Sequence, residues 1–338
     1  VNYALAFGVP PLGGRIRAVP EDFQVFEELG FTATGSGEHV LLRVRKRAVN
    51  TEWVARQLGA FAGVPKAAVS YAGLKDRHAV AEQWFSVHLP GRSEPDWSLC
   101  GGEDFTVREH HRHARKLRIG ALKGNVFRIV IRELQGESGA LAERLRRIEQ
   151  TGVPNYFGAQ RFGRDGGNLA RAEALFLGTE RVRDRHERGL YLSAARAEVF
   201  NQVLSRRVAA GCWNQPLAGD VMMLEGNRSV FAVTAVDTAI RQRITDFDIH
   251  PTGPLWGAGA LLSRDAVLEL EQALAAEYPV LCQGLAAAGL KQERRALRVR
   301  IQDAALATPA DGTAVLGFRL PAGAYATVVL RELLNVVD

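Results

Sequence analysis

Between two short strand-like runs, Val69–Tyr71 and Trp84–Val87, the segment AGLKDRHAVAEQ crowds Lys75, Asp76, Arg77 and His78 behind a glycine, Gly73. Nearby positive charge favours the charged form of a carboxyl, so an aspartate flanked in this way is ionised near neutral pH. An ionised carboxylate can act as a nucleophile or a general base. The same composition also makes an ordinary solvated turn, and spacing alone leaves both readings open. A second segment, KGNVFRIVIRE, places Asn125, Phe127, Ile129 and Ile131 on one face of a strand, with Val126, Arg128, Val130 and Arg132 on the other. An amide at 125 can offer hydrogen bonds, and a ring at 127 can stack on a planar group. Equally, Asn125 follows Gly124 as a turn residue does, and Phe127 beside two isoleucines reads as core.

Basic residues cluster in three further segments. EHHRHARKLR carries Arg112, Arg115 and Lys116, which suit a basic edge facing RNA phosphate. Its neighbouring histidines cannot all face one ion from an extended segment, and no metal site is expected. QRFGRDGGN sets Arg161 and Arg164 among glycines that permit close backbone approach, and RVRDRHER adds Arg183. Structural turns and solvated helix faces account for the same residues, so these are candidates for RNA contact and no more. GAGALL at 257–262 lacks the third glycine of a dinucleotide loop, and no phosphate-cradling P-loop is present. No cofactor is expected.

The elements that must position these residues can be read from periodicity. HVLLRVRKR alternates as a strand, and Asn50 or Thr51 then caps a helix with Val54, Leu58 and Phe61 on one face. After Thr151 the texture becomes dense in Gly, aromatic and Arg residues, then helical and Ala/Arg-rich, with a helix opening at Ser193 and burying Val199, Phe200, Val203 and Leu204. Strand character returns in LRVRIQ, with Leu297, Val299 and Ile301 on one face, and in VLGFRLP before Gly323 and a last helix. Strand runs separated by short helices without strict βαβ alternation predict an α+β fold with a mixed, largely antiparallel sheet. Residues 1–150 and 301–338 form one domain in this reading, interrupted by an inserted α/β domain over 151–300.

The 338 residues are 47% hydrophobic and 24% charged, with a net charge of +6, as in a soluble globular protein for which nucleic acid is a plausible partner. No apolar run approaches bilayer length and no secretory h-region opens the chain, so a cytoplasmic protein with no membrane association is expected. Three widely spaced cysteines without a C-x-x-C pair argue against a disulfide framework.

Six runs then carry a resemblance. PEDFQV (20–25), AGLKDRHAV (72–80), KLRIGALKGNVFR (116–128), VPNYFGAQRFGRDGGN (153–168), LSAARAEVFNQVL (192–204) and LPAGAYATVVLREL (320–333) resemble, in order, signature blocks of the TruD family of tRNA pseudouridine synthases. The resemblance implies a pseudouridine synthase catalytic domain with a family-specific inserted domain, tRNA as partner, uridine 13 of the D-arm as target, and no obligatory protein partner. It implies Asp76 as catalytic nucleophile and Arg17, Lys75, Asn125, Phe127 and Tyr325 as substrate-site residues. Arg17 stands where Lys is frequent and Tyr325 where Phe is the expected form; both keep the physical type. Two other classes remain beside it: an RNA-binding or RNA-folding module without chemistry, and a base methyltransferase, which would need an added methyl donor.

Overall fold

The computed structural model describes residues 3–118, 120–310 and 312–337. The chain divides into two compact units. One comprises Pro11–Glu143, Ile301–Gly323 and Leu334–Asp338; the other comprises Val1–Pro10, Arg144–Arg300 and Ala324–Leu333. Sequence texture draws the breaks at 150 and 300, whereas packing draws the first at 143, inside a helix, and places two short terminal segments with the second unit. Buried polar contacts are the reason. The Glu332 carboxylate accepts from the main-chain N–H of Ala6, Arg144 donates to the carbonyls of Glu332 and Gly8, and the Tyr156 hydroxyl donates to the Ala4 carbonyl.

The first unit is built on one sheet. Its strands are β1 (Gly13–Arg15), β2 (Phe23–Leu29), β3 (His39–Arg47), β4 (Val69–Tyr71), β5 (Val80–His88), β6 (Phe105–His113) and β7 (Leu122–Gln135). Six strands of the other unit follow in the chain: β8 (Val153–Pro154), β9 (Val221–Leu224), β10 (Val230–Ala232), β11 (Ile249–Leu255), β12 (Glu293–Ala296) and β13 (Arg298–Val299). The chain then returns with β14 (Gln302–Ala310), β15 (Thr313–Pro321) and β16 (Asn335–Val337). The sheet runs β14-β15-β7-β2-β5-β3-β6, with β1 against β7 and β16, and β4 against β5. Every pairing is antiparallel except β2–β5 and β1–β16, which is the mixed, largely antiparallel sheet of an α+β fold.

Helix α1 (Thr51–Phe61) covers one face of this sheet, where Val54, Ala55 and Leu58 pack with Val40, Leu42, Val44, Phe85 and Val87. Phe61, expected on that stripe, lies in the last turn and is exposed, tilted against Trp97. The opposite face is also covered near β3, because Leu41 packs with Ala72, Trp84 and Leu117. Strand β3 is therefore buried on both sides at its centre, and its alternation is one-sided only from Arg43 onward.

The second unit is richer in helix: α2 (Ser138–Thr151, which begins before the unit boundary), α3 (Gly167–Phe176), α4 (Arg185–Ala209), α5 (Thr238–Thr245), α6 (Asp265–Glu277), α7 (Pro279–Ala287) and α8 (Ala326–Leu333). Strands pair in the order β10-β9-β11-β12, with β8 against β13. Helix α4 starts at Arg185, two turns before the expected Ser193, because the Asp184 carboxylate accepts the Glu187 N–H as an N-cap. Its first turns are exposed all round, so they carry no apolar period to read. The LRVRIQ run is broken as well: Arg298–Val299 pairs in this unit, and the chain resumes as a strand only at Gln302 in the other. No helix among the described residues is long and apolar enough to cross a membrane.

Candidate active site

The loop from β4 to β5 carries Asp76, and buried polar side chains hold its backbone. Gln83 Nε2 donates to the Gly73 carbonyl at 2.6 Å; Thr51 Oγ1 accepts from Lys75 N at 3.1 Å and donates to Gln83 Oε1 at 2.9 Å. Lys46 Nζ donates to the main-chain carbonyls of Asp76 and Val49, each at 2.8 Å. Gly120 N donates to the Ala72 carbonyl at 2.9 Å. Lys46, Thr51 and Gln83 are all buried, so these bonds form in a low-dielectric setting where they constrain strongly. The Asp76 carboxylate stays half-buried, with Oδ1 accepting from His78 N at 3.1 Å.

Its other oxygen, Oδ2, is 3.1 Å from Arg17 Nη2, and the two side chains are 20% and 14% exposed, respectively. Partial burial strengthens such a charge pair relative to one in bulk water. Arg17 sits at φ +56, in the left-handed region that non-glycine residues rarely adopt, and strain of that kind concentrates at functional sites. Its guanidinium lies 4.5 Å from the centroid of Phe23. Phe23 meets Phe127 edge-on at 6.2 Å, and Phe127 stacks with Phe318 at 5.4 Å. The PEDF block thus seats Arg17 through its phenylalanine, while its aspartate fixes the start of β2. Asp22 accepts from Arg132 at 2.8 and 2.9 Å and from Val19 N at 3.1 Å. Burial pushes the Asp22 carboxyl up, but the hydrogen bonds and charge of Arg132 together with the backbone N–H groups of Val19 and Ala18 outweigh it and hold the group below its ordinary value.

Lys75 does not share the Asp76 carboxylate. Its ammonium pairs instead with Glu27, a buried acid of β2 whose second oxygen accepts from Trp84 N at 2.7 Å. Burial pushes the Glu27 carboxyl up, and Lys75 pulls it back. Of the two cations that could serve the carboxylate, Arg17 addresses it and Lys75 ties the loop to the sheet. Asn125 is the register partner of Glu27 on β7, and its Oδ1 is buried with no hydrogen-bond partner among the described residues. A buried orphan acceptor calls for an explanation, and an incoming donor supplies one. Phe127 is only 8% exposed, with Phe318 stacked on its ring and Phe23 at its edge, so the ring offered as a stacking platform is largely core. Gly124 in the same block is required by packing: a Cβ there would meet the Leu320 carbonyl at 2.4 Å.

Tyr325 belongs to the second unit. Its hydroxyl accepts from Arg161 Nη2 at 2.8 Å and Nε at 3.2 Å, while Arg161 Nη1 donates to Ser193 Oγ at 2.8 Å. Gly158 makes room for the tyrosine, since a Cβ would lie 2.9 Å from its ring. Phe157 stands edge-on to that ring at 6.3 Å. Arg112 donates to Glu94 and to the carbonyls of Gly37 and Arg92, so its fork is used within the fold. Arg115, Lys116, Arg164 and Arg183 are exposed and pair with no carboxylate among the described residues. His110 faces Glu94 and His113 Nδ1 faces Thr34; among the described residues no group of three or more His, Cys, Asp or Glu side chains is placed to hold a metal ion.

Sequence reasoning missed Phe23, Glu27, Lys46, Thr51 and Gln83. A signal existed for two of them: Glu27 follows Phe23 and Val25, and Lys46 follows Val40, Leu42 and Val44, at the period-2 positions of the apolar face. A charge at such a position is buried, and a buried charge has a partner to be found.

The family profile described as tRNA pseudouridine synthase D (TruD) matches residues 3–178 and 167–333. A protein named tRNA pseudouridine synthase D from Colwellia psychrerythraea is 46% identical over 347 residues, covering 100% of this chain and 94% of its own length. One of the same name from Nitrosococcus oceani is 49% identical, covering 98% of this chain and 93% of its own. A solved structure described under the same name, from Methanosarcina mazei, superposes with a TM-score of 0.75 at 22% identity, covering 99% of this chain and 96% of that one, which supports the fold. A family profile matching along nearly the whole chain, with relatives 46% and 49% identical over almost their full length, shows that the chain belongs to the TruD family of tRNA pseudouridine synthases.

Proposed function

We propose that the protein isomerises a uridine of tRNA, uridine 13 in the D-arm as the family resemblance implies, to pseudouridine, with Asp76 as nucleophile. The observation that carries the reading is the Asp76 carboxylate: half-buried, paired with Arg17 at 3.1 Å, on a loop whose backbone is pinned by buried side chains. The reaction breaks the bond from ribose C1′ to N1 of uracil and forms one to C5; the C5 proton leaves and N1 gains a proton. All atoms come from the one nucleotide and water, so the balance requires no cofactor. Asp76 attacks either C1′ or the uracil ring, and both routes need an ionised carboxylate. Arg17 keeps it charged and aimed.

The uridine must leave its stack to reach Asp76. Asn125 Oδ1 is the acceptor that its N3–H would satisfy, and Phe127, backed by Phe23 and Phe318, forms a wall of the base site through its residual exposed edge. Lys75 acts on the site through the loop, by way of Glu27. In this reading the sheet unit is the catalytic domain and residues 151–300 are the inserted one. Arg115, Lys116, Arg164 and Arg183 contact phosphate directly; Arg112 and Arg161 act through what they position, Arg161 by holding the hydroxyl of Tyr325, which the family resemblance assigns to substrate binding. A tRNA substrate supports a cytoplasmic location.

The test is tritium release from unmodified tRNA labelled at C5 of uridine, with no cofactor added, for wild type beside Asp76→Asn. Release by wild type that Asp76→Asn abolishes while tRNA binding persists is the expected result. Tight binding with no release by wild type would promote the RNA-binding module instead.

A further inference from the structure

We infer that Lys46 is a positioning residue of the reaction: its buried ammonium grips the main-chain carbonyl of Asp76 and sets where the carboxylate stands toward the substrate. The inference rests on Asp76 being the nucleophile. Lys46 is 0% exposed, and its Nζ donates to the Asp76 and Val49 carbonyls at 2.8 Å with no described carboxylate within ion-pair distance. A buried ammonium whose direct hydrogen bonds go to carbonyls is costly, and residues that keep the rest of the loop in place manage with neutral groups. Thr51 and Gln83 hold Lys75 N and the Gly73 carbonyl with a hydroxyl and an amide. A charge placed on the carbonyl of the nucleophile, and on that of Val49, is explained by the geometry it enforces there, since a charge-assisted bond is stronger than a neutral one.

The groups facing Lys46 are Asp76 from the loop, with Arg17 on its carboxylate, Lys75 beside it, and Glu27 from β2. Burial pushes the Lys46 ammonium down to about 8 from its ordinary 10.5; Asp76 and Glu27 pull it back and Lys75 adds to the fall. Above that pH the amine is neutral, a weaker donor, and the Asp76 carbonyl loses its charge-assisted bond. Activity therefore falls as pH rises through about 8. Stability moves the other way. Between about 8 and 10.5 the unfolded chain binds the proton that the folded chain has released, so the contribution of Lys46 to stability rises with pH. A purely structural lysine would not lower turnover while the fold gained stability.

The experiment is single-turnover C5 tritium release across roughly pH 6.5 to 9.5 for wild type, Lys46→Met, Lys46→Arg and Asp76→Asn, with tRNA affinity and thermal midpoint measured alongside. Lys46→Met is expected to bind tRNA as wild type does, to lose about 10- to 100-fold in rate at neutral pH, and to lack the alkaline fall. Lys46→Arg, which stays charged, is expected to keep its activity past the pH at which wild type declines. A Lys46→Met rate within about twofold of wild type, or an alkaline fall that persists in it at the same pH, overturns the inference. Should Lys46→Met not fold, the inference fails if wild type shows no alkaline fall or if Lys46→Arg falls at the same pH as wild type. Turnover by Asp76→Asn would instead defeat the nucleophile assignment; an inactive Asp76→Asn beside a Lys46→Met of wild-type behaviour defeats only the role of Lys46.

Discussion

In each of the two units an arginine rests on a phenylalanine and reaches a motif residue. Arg17 lies 4.5 Å over Phe23 and holds the carboxylate of Asp76; Arg161 lies 5.5 Å from the centroid of Phe157 and holds the hydroxyls of Tyr325 and Ser193. The partners differ in kind: one is an anion, the other two are neutral. The backbones differ too, since Arg17 sits in the left-handed region whereas Arg161 belongs to a short 3-10 turn at Ala159–Phe162. The same pair of residue types thus makes a strained, charged contact in one place and a relaxed packing contact in the other. A strained backbone and an ion pair mark the chemistry; bonds to neutral hydroxyls mark its support.

The sharpest way to break this comparison is to remove both arginines in turn. Arg17→Met is expected to lower single-turnover release by about 100- to 1000-fold with tRNA affinity retained, because the carboxylate loses its orienting cation. Arg161→Met is expected to cost less than about 10-fold in the same assay, with a loss of about 2 kcal/mol in stability for its abandoned acceptors. Equal losses in rate would erase the distinction. A third arginine pair sharpens the comparison through pH. Asp22 is held below its ordinary carboxyl value, so its bonds with Arg132 stabilise the fold above that ordinary value and are lost as pH falls through the depressed one. Asp22→Asn should cost about 1.5 kcal/mol near neutrality in denaturant titrations, with that gap closing in acid. Gly158→Ala, by pushing a Cβ to 2.9 Å from the Tyr325 ring, is expected to destabilise by about 1 to 2 kcal/mol and to leave the chemical step nearly untouched. Tyr325→Phe should be smallest: about 1 kcal/mol in thermal unfolding for the lost acceptor, with rates within about twofold of wild type.

Much of this architecture is legible in local pattern. Alternation in HVLLRVRKR and NVFRIVIRE marks strands that exist as β3 and β7, and Val54 and Leu58 bury as their helical spacing requires. Elements went unread where the signal is not periodic. The first turns of α4 are exposed on every side, so only the Asp184 cap announces them. The break between Val299 and Gln302 is invisible because alternation continues through it while the pairing partner changes. The role of Phe127 was open for a related cause: a ring beside isoleucines has the same sequence pattern in a core as in a base site, and its neighbours Phe23 and Phe318 come from distant strands.

By itself the sequence determined the alternating strands, the charged loop around Asp76 and the order of the six motif blocks, because each depends on neighbours within a few residues. Only the tertiary structure decided which cation serves Asp76, that Lys75 turns inward to Glu27, and that Lys46 stands behind the aspartate. Those choices depend on strands far apart in the chain meeting side by side, and on burial making each misplaced charge too costly to leave without a partner.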